Sequence, residues 1–205
     1  MQSNYEKKSF ELFDKLDIYE KYKVMMSEKS VVNTRTLRSR LSTEEEQQFW
    51  QILDDSKKFA QNLKELLLLS LLRKDVMQDI LKLHLKLVED QPFRKTDDEL
   101  LEIVSQIKDS GAELDKLNNQ MLELIEETES LQQSLHRLNY PIAFTPEMNP
   151  EKIRIQAELF KGLTDIENPQ VFIQQARALE VREMVQGNEL RENFINQINK
   201  WLEVI

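Results

Sequence analysis

Residues 100–138 read LLEIVSQIKDSGAELDKLNNQMLELIEETESLQQSLHRL. Leu100, Ile103, Ile107, Leu114, Leu117, Met121, Leu124, Leu131, Leu135 and Leu138 occupy ten of twelve consecutive a and d positions of a heptad. Ser110 and Thr128 fill the other two. A straight helix drifts about 20° per heptad away from such a stripe, so the pattern predicts a left-handed supercoil against a second helix. A single helix cannot bury the seam alone. It is therefore expected to hold a helical partner, from the same chain or from another.

The flanks of the seam bear on which partner. The e positions are Val104, Gly111, Asn118, Ile125, Gln132 and Asn139, and the g positions are Gln106, Glu113, Gln120, Glu127 and Ser134. They carry almost no ion-pair code of the kind that pairs two-stranded dimers. Leu101, Leu122 and Ile125 widen the apolar stripe, which suits a bundle of three or more helices. Residues 97–139 hold eleven acids and three bases, a balance of −8. That acidic outer face disfavours a second copy and favours a hetero-oligomer.

Working outward, Thr96-Asp97-Asp98-Glu99 forms a capping box that starts this helix, and Tyr140-Pro141 stops it. Upstream, Ser42-Thr43-Glu44-Glu45 is a second capping box. Nothing breaks the helix that follows until Gln91-Pro92, a run of about 45 residues or roughly 65–70 Å. Its stripe passes through Phe49, Ile52, Leu53, Phe59, Leu63, Leu66 and Leu67, then Val76, Met77, Ile80, Leu81, Leu83, Leu87 and Val88. Leu66–Leu72 is apolar on nearly all sides and is expected to be buried by more than one neighbour. A short connection at Pro92–Lys95 makes the two long helices an αα-hairpin. Gly111 within the second helix marks a local kink or a close approach by another backbone.

Outside the hairpin, residues 5–28 show loosely helical spacing of Phe10, Phe13, Leu16, Tyr22 and Met25. Residues 29–41 read as a bent connection or short helix. Pro141, Pro146 and Pro150 mark a linker, and Asn149-Pro150 and Asn168-Pro169 are N-cap and N1 pairs. Residues 153–160 fit either a helix or a strand. The last helical stretch continues past Gly187 to Trp201, Leu202 and Ile205. The expected fold is all-α: an elongated helical hairpin with a smaller helical C-terminal segment. The modules are 1–41, 42–139 with the coiled coil strongest at 97–139, a linker at 140–149, and 150–205.

Composition narrows the function. The chain has 205 residues, three glycines, 32% charged residues and a formal net charge of −9. Broad binding to nucleic acid is disfavoured, since phosphate contacts need clustered Lys and Arg. Without cysteine, disulfides, thiolate metal sites and thiol nucleophiles are excluded. The first residues show no apolar signal segment, and the longest apolar run is far short of the roughly 20 residues of a membrane span. A soluble intracellular protein without membrane attachment is expected. There is no P-loop, dinucleotide fingerprint or nucleophile elbow, and His84 and His136 have no ligand-spaced neighbours. The expectation is a non-enzyme with no cofactor, no metal and no small-molecule substrate.

The candidate partner-binding residues are Leu100, Ile107, Leu114, Leu117, Met121, Leu124, Leu131, Leu135 and Leu138 on the seam, with Trp201 as an anchor near the C-terminus. Arg35, Arg38 and Arg40 form a basic stretch open to a weak DNA contact, although such stretches are more often solvated or paired with acids.

Three passages resemble the elongated coiled-coil subunits of the fungal inner kinetochore, the Sim/COMA-type assembly, in the CENP-U and CENP-Q neighbourhood. They are Ser30–Leu41 running into Ser42-Thr43-Glu44 and Phe49-Trp50, the heptad helix 97–139, and Leu179–Met184 with the final amphipathic helix ending Trp201-Leu202. The resemblance implies a non-enzymatic scaffold subunit in the nucleus, at the centromere, binding several coiled-coil partners for chromosome segregation. No site residue is carried over from it. A membrane-trafficking tether or SNARE-related adaptor, and a DNA-binding accessory factor using residues 29–40, are the alternatives.

Overall fold

The computed structural model describes residues 4–27, 33–89, 95–142, 149–186 and 189–205. Val31 and Val32, the connection around Pro92, the linker residues 143–148 and Gly187 lie outside the described residues. The fold is all-α, and no strand occurs among the described residues. The helices are α1 (Asn4–Phe13), α2 (Ile18–Met26), α3 (Thr34–Arg38), α4 (Thr43–Glu89), α5 (Asp97–Arg137), α6 (Pro150–Thr164), α7 (Pro169–Gln186) and α8 (Glu189–Val204).

Local chemistry sets the boundaries. At the start of α4 the Ser42 hydroxyl accepts from Glu45 N–H at 3.2 Å, and the Glu45 carboxylate accepts from Ser42 N–H at 2.9 Å. Thr96 and Glu99 repeat the box at α5. Asn149 Oδ1 accepts from Glu151 N–H, so residues 153–160 are helix and not strand. Asn168 caps α7 in the same way. Asn139, at φ 57°, ends α5 in the left-handed region, where Tyr140 N–H donates back to Leu135 C=O. The expected single helix over 5–28 is two helices, because Asp17 accepts from Glu20 N–H and starts a new one at Ile18.

The compact units divide the chain differently from the sequence-based modules. One unit comprises Met1–Glu65 with Ile125–Pro146, and the other Leu66–Leu124 with Glu147–Ile205. α4 and α5 each contribute to both units. In the first unit Phe10, Phe13, Met25, Leu37 and Phe49 form one core cluster, and Ile52, Phe59 and Leu135 form another. In the second unit Leu87, Leu100, Ile103, Val104, Ile107, Ile166 and Ile173 pack together. Met77, Ile80, Leu81, Leu114, Phe160 and Ile198 make its second cluster. Each such side chain contributes about 1.5–3 kcal/mol by leaving water, which offsets the ordering of long helices of modest intrinsic stability.

Candidate functional site

The heptad seam is filled from within the chain. The a positions Leu100, Ile107, Leu114, Met121, Thr128 and Leu135 are at most 2% exposed. Ile103 and Leu117 at d are buried, while Ser110, Leu124, Leu131 and Leu138 are half-buried. The e positions Val104, Gly111, Asn118 and Ile125 are buried as fully as the a positions. The buried stripe is thus an a/d/e face, rotated from a two-helix seam. Its cause is that α5 meets α4 and the C-terminal helices together. Leu100, Ile103 and Ile107 pack with Leu87, Ile166 and Ile173, and Leu114 packs with Met77, Phe160 and Ile198. The a positions with Ile103 and Leu117 are thus covered within the chain, while Leu124, Leu131 and Leu138 keep part of their surface open. Trp201 is half-buried and packs on the Met77–Phe160–Ile198 cluster.

Gly111 is a close approach. A Cβ built there falls 2.6 Å from Thr164 Cβ at the end of α6. The small residue in the e row carried this signal in the sequence.

The apolar run on α4 is corrected. Leu66 and Leu69 are buried, but Leu67, Leu68, Leu71 and Leu72 are 61%, 57%, 55% and 45% exposed. Successive helical residues turn by about 100°, so Leu67 and Leu71 lie over one another, as do Leu68 and Leu72. Together they form one leucine face opposite Leu66, Leu69 and Arg73, and exposed Lys74 borders it. Among the described residues, no neighbour covers this face. Sequence alone had no means of separating the two faces, because both are leucine.

The basic stretch is largely engaged. The Arg38 guanidinium lies 4.1 Å from the centre of the Trp50 ring and donates to Glu46 at 3.2 Å. Arg40 forks onto both carboxylate oxygens of Asp14 and stacks on Phe10. The hydrogen bond to Arg40 holds the Asp14 carboxyl below its ordinary range. Arg35 is exposed in α3. The three arginines thus present no joint cationic patch, and two of them tie the N-terminal helices together.

Several polar groups are buried. Lys21 donates to Glu45, which hydrogen bonding to Lys21 and to Ser42 N–H holds below 4.5. His84 is 5% exposed and its Nε2 donates to Leu163 C=O at 3.0 Å. Burial pushes its imidazole below 6.5. Arg73, 8% exposed, donates from Nε to Asn118 Oδ1 at 2.6 Å and from Nη1 to Gln156 Oε1 at 2.7 Å. Arg73 Nη2 and Asn118 Nδ2 are enclosed without a hydrogen-bond partner. His136 is exposed, with Nε2 2.7 Å from Ile142 C=O.

No protein-family model, no curated protein and no solved structure matches this chain. Among the described residues, no helix is long and apolar enough to cross a membrane. No group of three or more metal-ligating side chains is assembled among them.

Proposed function

We propose that this chain is a non-enzymatic helical scaffold subunit that docks an amphipathic helix of a different subunit on the leucine face of α4. The observation that carries the reading is the uncovered row Leu67, Leu68, Leu71 and Leu72 on a helix whose other side is core. Helix faces with i, i+4 apolar spacing are complemented by the ridges of another helix. Each leucine here is about half exposed, so covering all four contributes on the order of 3–6 kcal/mol. That suits one contact among several in a multiprotein assembly. The net charge of −9 disfavours a second copy as the occupant.

The resemblance of residues 30–50, 97–139 and 179–202 to inner-kinetochore subunits supplies the assembly in this reading: a Sim/COMA-type complex at the centromere, in the nucleus. Affinity purification of the native protein with mass spectrometry of stoichiometric partners tests it. Helical kinetochore subunits in equal amounts support the assignment. A vesicle-coat or transcription complex, or a homodimer by light scattering with no other chain, overturns it.

A further inference from the structure

We propose that the pocket beside Arg73 is a phosphate-binding site. The pocket, of about 220 Å3, is lined by Ser70, Arg73 and Lys74 from α4 and by Asn149, Lys152 and Gln156 at and after the start of α6. Three cations border it and no Asp or Glu side chain does, with Met77, Met121, Ile153 and Ile205 completing the wall. Arg73 is more than nine-tenths buried. Its two hydrogen bonds go to neutral amides, which orient the guanidinium without neutralising it.

A buried charge without a counter-ion is costly, and chains normally supply a carboxylate to such an arginine. Here two neighbouring donors, Arg73 Nη2 and Asn118 Nδ2, are enclosed with nothing to donate to. Desolvation pulls the Arg73 guanidinium below its ordinary range with no compensating charge. A structural role limited to joining α4, α5 and α6 accounts for the two amide contacts. It does not account for a buried charge without a counter-ion beside two lysines at the same pocket.

The first turn of α6 adds the positive end of a helix dipole at the pocket wall. An excess of positive charge around one pocket suits a dianion better than a single carboxylate. The small volume suits a phosphate group, free or on a small monoester, and not a nucleotide cofactor. This inference is independent of the leucine face on α4.

The test is the melting temperature of the full chain, titrated with sodium phosphate and with sodium chloride at matched ionic strength. Glycerol phosphate serves as the monoester probe. Wild type is expected to show a saturating rise with phosphate that chloride does not reproduce. Tighter saturation with glycerol phosphate assigns the site to a phosphorylated small molecule, and equal or weaker saturation assigns it to the free ion. Arg73→Met is expected to melt no lower than wild type without phosphate and to lose the saturating rise. If that variant does not fold, Lys74→Gln with Lys152→Gln, both at exposed lysines, decides: at least a several-fold weaker affinity supports the site. Equal responses to phosphate and chloride in wild type overturn it, as does an unchanged response in Arg73→Met or an unchanged affinity in the double lysine variant.

Discussion

Replacing Gly111 with alanine sets two effects of opposite sign against each other. In a free helix the change stabilises by about 1 kcal/mol, because glycine is the poorer helix former. In this fold the new methyl falls 2.6 Å from Thr164 Cβ and 2.7 Å from its Oγ1. Thr164 has little room to yield. Its hydroxyl donates to Phe160 C=O at 3.0 Å, and its Cβ is fixed to the α6 backbone. Relief therefore requires α5 and α6 to separate, at a cost of about 1–3 kcal/mol by the usual measure of overpacking. The expected net is a loss of up to roughly 2 kcal/mol. Urea denaturation followed by circular dichroism at 222 nm measures it as a lower midpoint at constant slope. Gly162→Ala is the internal control: nothing lies within 4 Å of its added Cβ, so propensity alone acts and the midpoint should rise. A Gly111→Ala protein that gains stability as the Gly162→Ala control does would refute the α5–α6 contact.

Three further outcomes follow from buried groups. Leu117→Asp places a charge at a 7% exposed position of α5 and should unfold its unit, seen as loss of the cooperative melt, not merely as loss of a partner. Glu45→Gln should lower stability at neutral pH by about 1–3 kcal/mol, since the ammonium of Lys21 stays buried without its counter-charge. Because Glu45 is held below 4.5 in the folded state, the wild-type advantage is present above that value and fades as pH falls through the folded pKa. His84 is held below 6.5, so its stabilising contribution is complete above that pH and is lost as pH falls further. The unfolded chain then takes up as much as one extra proton, up to about 1.4 kcal/mol per pH unit. His84→Gln, which keeps a donor for Leu163 C=O, should flatten the stability profile between pH 7 and 5, and an unchanged profile would count against the buried neutral imidazole.

Which features were legible in the sequence follows from how local they are. The caps at Ser42, Thr96, Asn149 and Asn168 were readable because each is settled within four residues. The break at Asp17 carried the same type of signal, but the apolar spacing of Phe13, Leu16 and Tyr22 ran across it. The apolar stripe of α5 was legible, and its rotation toward e was not. A heptad frame presumes one facing helix, whereas α5 meets several. Burial at Gly111 and Asn118 was written there only as a small residue and an uncharged polar one.

The leucine face and the Arg73 pocket depend on non-local placement. Leu67 and Leu69 are the same residue type, and only the position of neighbouring elements leaves one in water and the other in the core. Arg73 lies in an otherwise apolar run, while the amides that hold it are 45 and 83 residues away. No period or motif connects those positions. Arg38 and Arg40 looked available for phosphates because Glu46 and Asp14 are not their immediate neighbours in sequence.

The central claim is that the chain meets its partner through the outer face of α4 and not through the heptad seam. Its most direct test is the stoichiometric recovery of partner subunits on tagged wild type and on Leu67→Glu with Leu71→Glu, with the melting temperature of each protein measured alongside. The account predicts a double variant that melts within a few degrees of wild type and loses at least ten-fold in partner recovery. Undiminished recovery on a folded double variant would contradict it.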